Sequence, residues 1–391
     1  MRSVGELRNR VVFPGTDELI EDGGSIGTAA SVRSRLCTRS AFGRWIARGR
    51  WLRCAVWIWL APLLIGCGNG PADGPSAAPA AEPVSNVRAD FTLMDDQTHN
   101  RFSATIAPVM RVPSGAVIEA FLKEASDGQL TPESDAAAVA SLDFDPIHPL
   151  TGPVYVEGAA PGDVLKVTVL RIDPGDWGWA AIVPGFGFLA DEFPQAYYRV
   201  FRVEEDGYAQ FDDRTRIAIR PFAGVMGVAP PTDSMLSTVP PRANGGNMDN
   251  RHLTAGVIVY FPVFVEGALF SVGDPHLAQG DGEVSGTAIE GPVRMVYRVE
   301  VLKGVRAIPE PQYETDDYYA VTAFGTTIDE AARKATRYMI DWLVAERGMS
   351  REDAYILCSL AGDLKISETV DVPHMLVSMH LPKPDRQDQD R

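Results

Sequence analysis

The sequence predicts a mainly β fold that ends in a helical hairpin packed on strands. Three observations lead there. Short apolar runs with period-two alternation and Pro/Gly punctuation recur through most of the chain after residue 88. Helical periodicity with caps is confined to residues 326–362. The 391 residues, 45% of them apolar, can bury a large core, as one big all-β domain or as two smaller domains.

The amino-terminal 66 residues stand apart. Residues 1–43 are polar and Arg-rich without a convincing period, and the apolar run that begins at Cys54 ends at Ile65. Such a run is too short to span a bilayer and suits the core of a signal peptide. It closes in Leu64-Ile65-Gly66-Cys67, a lipobox-like pattern that predicts cleavage before Cys67 and lipid attachment there. The length of the region before Arg44 points to a later translation start. Residues 67–88, rich in Pro, Ala and Gly, read as a disordered tether. The chain is therefore expected to be exported and lipid-anchored in the bacterial cell envelope, with its folded domain over residues 89–383 and a frayed tail over 384–391.

The formal charge is −16, and the ten Arg and five acids of the first 66 residues leave the remainder near −21. That balance argues against a nucleic-acid partner. Of Cys37, Cys54, Cys67 and Cys358, only Cys358 lies in the folded part, so no disulfide framework is expected.

The body opens with strand-like segments around residues 90–124, where His99 follows the acidic pair Asp95 and Asp96. Residues 127–145 read as a loop with one short helical turn. In the next strand Leu165, Val167 and Val169 alternate with Lys166 and Thr168, as a half-buried strand should. Residues 173–195 hold many Gly, Pro and aromatic residues and are predicted as a long ordered loop, with Trp177, Trp179, Phe186 and Phe188 available to wall a pocket. Near the end, Thr327 and Glu330 sit in capping-box positions, an apolar stripe includes Ala331, Ala335, Tyr338 and Trp342, and Gly348 stops the helix. A shorter helix follows, capped by Ser350. Closing strands hold His374 and His380, for which surface or core packing is the default reading.

The chemistry concentrates in residues 245–290. Asp249, Asp274, His276, Asp281 and Glu283 lie among glycines there, in GGNMDN and GDPHLAQGDGE. Carboxylates and imidazole are ligands for a hard or borderline cation, and a cation-bound water is a nucleophile at neutral pH. Glycines allow the dihedrals that let several acids converge. The apolar run between Asp249 and Asp274 reads as two buried strands, placing the acids at strand ends. Asp274 and His276, two apart on an extended segment, share a face. There is no G-x-S-x-G nucleophile elbow. Cys358 falls on a buried-looking helix face, where a thiol is inert packing.

These residues carry a resemblance. HPLTGPVYVEGAAPGD, RPFAGVMGVAP, the 245–290 block and the terminal AYILCSLAGDLKISETVDVP resemble the acetamidase/formamidase family over residues 90–383. The resemblance implies a β-sandwich with an appended α+β portion, a homo-oligomer, and hydrolysis of a small linear or cyclic amide. It also implies a bound divalent metal, zinc, in some members with calcium. On this reading Asp249, Asp274 and His276 bind the metal together with His99, which occupies the family's early His-Asn position. Glu283, with Asp281, handles the proton. A different function class fits the same residues: a membrane-tethered lipoprotein that keeps a structural cation and captures a small ligand without turnover.

Overall fold

The computed structural model describes residues 87–384; the expected signal segment, nearly all of the expected tether and the tail beyond residue 384 lie outside the described residues. Two nine-stranded sheets, largely antiparallel, face each other. The first runs, in spatial order, through Phe91–Leu93, Val117–Leu122, Val293–Leu302, Val164–Pro174, Ile258–Pro262, Gln312–Glu314, Tyr318–Gly325, Met375–Pro382 and Asp363–Glu368. The second places Phe270–Ala278 centrally, between Phe222–Gly227 and the short strand Ile289–Glu290, and Leu150–Val156 also pairs with it. Trp177–Ile182 and Tyr197–Arg202 extend this sheet.

The core sits between the sheets. Val167, Val169, Val259 and Val299 from the first meet Met226, Phe270 and Val272 from the second. Phe270 bridges them, its ring 5.6 Å from that of Phe261 and 5.5 Å from that of Tyr297. The predicted alternation in Val164–Pro174 holds: Leu165, Val167 and Val169 are buried while Lys166 and Thr168 reach the edge of the core. Two facing antiparallel sheets with such inward residues make a β-sandwich.

A short helix, α1 (Ala136–Ala140), is capped by Asp135, whose carboxylate accepts from the backbone N–H groups of Ala137 and Ala138. The hairpin consists of α2 (Ile328–Arg347) and α3 (Arg351–Ala361). Thr327 Oγ1 accepts from the Glu330 N–H, and Gly348 ends α2 in the left-handed region. The Glu330 carboxylate reaches back one residue further than a standard capping box, accepting from the N–H of Thr326. Ala331, Ala335, Met339 and Leu343 bury against Val321, Ala323, Val377 and Met379 of the sheet, so the hairpin covers that end of the first sheet.

Two expectations change. The apolar run after Asp249 yields two strands, but they belong to different sheets: Ile258–Pro262 to the first and Phe270–Ala278 to the second. The left-handed residues Ala268 and Leu269 turn the chain between them. The predicted loop 173–195 is in part a strand, Trp177–Ile182, because the Trp179 indole is buried and donates to Glu124 Oε2 at 2.9 Å. Asp173 and Pro174 end the preceding strand, and what stays irregular is Gly175 with Asp176 and the stretch beyond Ile182.

Candidate metal centre

The strand Phe270–Ala278 is buried along its whole length, and it is the spine of the site. Asp274 and His276 lie within it rather than at its end, and their side chains share a face, with His276 Nε2 3.4 Å from Asp274 Oδ2. Asp274 takes a left-handed φ of 50° to aim its carboxylate inward. The neighbouring strand Phe222–Gly227 passes alongside, and Gly224 lies opposite. A Cβ on Gly224 would come within 2.5 Å of Asp249 Oδ1 and 2.9 Å of both Asp274 Oδ2 and His276 Cε1. Only a glycine leaves that space open. Asp249 follows the strand Gly245–Asn247 and is held by its N–H to Gly224 O at 3.2 Å, which places its Oδ1 3.7 Å from His276 Nε2.

Asp249, Asp274 and His276 can each offer a ligand atom with all three atoms within 4.8 Å of one another. A second such group, His276, Glu283 and Glu290, shares the imidazole. Glu290, whose Oε2 lies 3.2 Å from His276 Nε2, joins the site from the strand Ile289–Glu290. His148 adds a second imidazole, 3.9 Å from Asp274 Oδ2.

From the carboxyl end of the chain come Glu368 and Asp371, stitched in through the loop that carries Glu283. The Gly282 N–H donates to Ser367 O at 3.0 Å, and Thr369 Oγ1 donates to Gly282 O at 2.8 Å. Asn247 Nδ2 donates to Asp371 Oδ2 at 2.7 Å.

The electrostatics are those of an acidic cluster without enough positive charge. Asp249, Asp274, Glu283, Glu290, Glu368 and Asp371 are all buried, and among the described residues no Lys or Arg lines the cavity that all but Glu368 border. Burial, reinforced by the neighbouring carboxylates, holds Glu283 and Asp371 well above the usual carboxylate range. Burial raises Glu368 to about 8. Asp249 and Glu290 are raised for the same first reason, with His276 opposing. Asp274 moves the other way, because the two histidines outweigh its burial. For His276 burial disfavours the charge, yet Glu290 and Asp274 together carry its pKa well upward.

Among the described residues, three buried carboxylate oxygens of this cluster, Asp249 Oδ1, Asp274 Oδ1 and Glu368 Oε1, have no hydrogen-bond donor. Unpartnered buried carboxylate oxygens are costly unless a cation neutralises them. Donor-less carboxylate oxygens, with Asp249 Oδ1 at the edge of a space that a Cβ on Gly224 would fill, fit a divalent cation in charge and in room. Zinc and calcium both accept carboxylate oxygens, and the imidazole favours zinc.

Two of the expected site residues are not gathered into this group. His99 has both ring nitrogens engaged elsewhere: Nδ1 donates to Arg101 O at 2.7 Å, so Nε2 accepts from Ser271 Oγ at 2.8 Å. Its pKa is lowered to about 4 by burial, so it is a neutral packing residue. Asp281 faces outward and pairs with His252 Nε2 at 3.2 Å. The period-two argument that placed it beside Glu283 requires extended backbone, whereas Gly282 and Glu283 both have positive φ, which turns the two side chains apart.

Glu290, His148, Glu368 and Asp371 went unassigned in the sequence. Glu290 closes the 245–290 block, Glu368 and Asp371 lie in the terminal ETVDVP and His148 opens HPLTG, so position within those runs is the available signal.

The cavity over the cluster is walled by Leu142, Phe144, Ile147, Trp179, Val183 and Phe186. Of the four aromatic residues proposed as a wall, Trp179 and Phe186 reach it. Trp177 packs in the small neighbouring core, and Phe188 is 53% exposed.

Known proteins share this arrangement of sequence and fold. The Acetamidase/Formamidase family model matches residues 86–237 and 232–384. The acetamidase of Mycolicibacterium smegmatis is 32% identical over 268 residues, which is 53% of this chain and 66% of that protein. The formamidase of Methylophilus methylotrophus is 28% identical over 367 residues, 74% of this chain and 89% of its own. Among solved structures, an acetamidase from Bacillus halodurans superposes with a TM-score of 0.70 at 32% identity, over 74% of this chain and 97% of that one. The gamma lactamase from Delftia acidovorans has a TM-score of 0.54 at 26% identity, over 76% and 95%. The chain belongs to the acetamidase/formamidase family and is an amidase for carbon–nitrogen bonds other than peptide bonds.

Proposed function

We propose that this amidase hydrolyses a short-chain or cyclic amide of the formamide or acetamide kind to the carboxylic acid and ammonia or amine, with a divalent cation, zinc, held by Asp249, Asp274 and His276. The observation that supports the cation is the set of buried carboxylate oxygens without a donor, one of which, Asp249 Oδ1, borders the space that Gly224 keeps open. When bound, such a cation lowers the pKa of water from 15.7 to about 7 and polarises a carbonyl oxygen.

The protein's own residues supply the rest. Glu283 sits beside His276 and Glu290 and lines the cavity, so it can take the proton of the attacking water and deliver it to the departing nitrogen. Burial holds its carboxyl well above the usual range, first by desolvation and then through Asp249, so the protonated form needed for the second step is accessible. The apolar wall of Phe144, Ile147, Trp179 and Val183 excludes bulk water and suits a small acyl group.

The test is product release from formamide, acetamide, propionamide and a γ-lactam, with and without chelator. We expect turnover that disappears on chelation and returns with zinc. Turnover surviving complete metal removal would sink the cation's role, and cation binding without turnover on any amide would favour the tethered ligand binder instead. Glu283→Gln should lower kcat by about 10²–10⁴-fold with metal content unchanged.

Lipid attachment at Cys67 would hold the enzyme in the bacterial envelope, and its working form would be a homo-oligomer, as the family resemblance suggests. Fatty-acid labelling that persists in Cys67→Ser would rule the anchor out. Among the described residues no helix is long and apolar enough to cross a membrane.

A further inference from the structure

We infer that Gln279 is a positioning residue of the cation site, fixing the tautomer of His276 and the backbone of Asp249 through a single side-chain amide. The inference rests on Asp249, Asp274 and His276 being the cation's ligands.

Gln279 lies just past the end of the strand Phe270–Ala278, three residues beyond His276, and its side chain turns back toward the site. One end of the amide meets two backbone carbonyls, Asp249 O at 2.6 Å and Ser367 O at 3.3 Å. Carbonyl oxygens only accept, so that end is the NH₂. The other end, Oε1, therefore faces His276 Nδ1 at 2.7 Å and can only accept from it. With Nδ1 carrying the hydrogen, a neutral imidazole presents a free lone pair at Nε2. That nitrogen is the one that faces Asp249, Asp274 and Glu290.

Each contact has a separate consequence. The Oε1 acceptor selects the tautomer and holds the ring plane, with Phe222 edge-on to the ring at 5.0 Å on another side. The NH₂ donors tie the Asp249 backbone and the Ser367 carbonyl to the same amide. Ser367 belongs to the strand Asp363–Glu368 of the first sheet, and Asp249 follows a strand of the second. One side chain thus joins two of the three ligands to both sheets. Partners of this kind set the orientation and basicity of a ligating histidine, and their loss typically costs 10–100-fold in metal affinity.

Two substitutions separate the contacts. Gln279→Glu keeps an acceptor for Nδ1–H and loses the donors; Gln279→Leu loses both. Gln279→Glu also adds a charge beside the site and sets a carboxylate oxygen against two carbonyls, so the ring contact is read from exchange of the Nδ1 hydrogen and not from the affinity difference alone. We expect Gln279→Leu to bind zinc about 10–100-fold more weakly by chelator competition, and Gln279→Glu to bind distinctly more tightly than Gln279→Leu. In ¹⁵N NMR of the zinc-loaded wild type, His276 should show metal at Nε2 and a slowly exchanging hydrogen at Nδ1. That hydrogen should exchange faster in Gln279→Leu. Equal zinc affinity for all three proteins, or metal found at Nδ1, overturns the inference. A wild type that binds no zinc and no other divalent cation would instead defeat the functional reading on which it rests.

Discussion

Among the described residues seven non-glycine positions take a left-handed backbone, and four of them, His148, Asp249, Asp274 and Glu283, line the cavity. Each such conformation costs on the order of 1–3 kcal/mol and persists only where its surroundings impose it. Here they turn side chains inward from elements that would otherwise point them along or away from the sheet. Gly224 is the complement of these residues, since it keeps clear the space into which they point. Its φ lies outside the left-handed region, so Gly224→Ala carries no backbone strain and isolates the effect of the added methyl. We expect that variant to remain folded by circular dichroism and to lose bound metal, with Asp249 displaced by the 2.5 Å approach. His99 allows a separate test of its packing role. Its folded pKa of about 4 lies below the unfolded value of 6.5, so between these the unfolded chain binds more protons and stability falls as the pH drops. The full effect is roughly 3 kcal/mol, reached below pH 4. His99→Gln should flatten that part of a melting-temperature-against-pH curve relative to wild type; an unchanged slope would mean that His99 titrates normally.

At the scale of elements, the caps and periods were legible because they are local. Thr327, Gly348 and Ser350 do what their positions predict, and the Leu165, Val167, Val169 alternation needs only two-residue geometry. The strand Trp177–Ile182 was hidden because Gly178, with Ile289 and Glu290 pressed against it, reads as loop composition until the facing strand is known. A Cβ on Gly178 would lie 2.5 Å from Glu290 O, so the glycine is there to let a backbone approach. In α3, Cys358 is 3% exposed within the core that joins the hairpin to the sheet, and burial raises its pKa. A raised pKa and a buried sulfur make a poor nucleophile. Cys358→Ser should leave metal content and turnover intact and cost about 1–3 kcal/mol in denaturant unfolding, the penalty of burying a hydroxyl. Loss of turnover in a well-folded Cys358→Ser protein would contradict that assignment.

For the whole molecule, the site is where both sheets and the carboxyl-terminal strands converge, so the binding free energy of the proposed cation should be shared by the entire fold. A ligand that binds only the folded state adds RT ln(1 + [L]/Kd), about 4 kcal/mol at a thousand times Kd. On the proposed reading, removing a bound cation would leave buried carboxylates opposed chiefly by two histidines. The melting temperature should therefore fall on chelation and climb with added zinc in a concentration-dependent way, by scanning calorimetry. A melting temperature indifferent to chelator in a protein shown to have held metal would place the cation outside the folded core.

By itself the sequence determined the mainly β class, the helical hairpin and its caps, the identity of Asp249, Asp274, His276 and Glu283 as a set, and the family likeness, because each is written in neighbouring residues or short runs. Only the tertiary structure decided which acids meet. Glu290, Glu368 and Asp371 reach the cluster through strand pairing and loop stitching across large sequence separations. His99 and Asp281 are kept from it by a local hydrogen bond and by two positive φ angles. Convergence of side chains depends on backbone direction at each residue, and a one-dimensional pattern carries that direction only where the chain is regular.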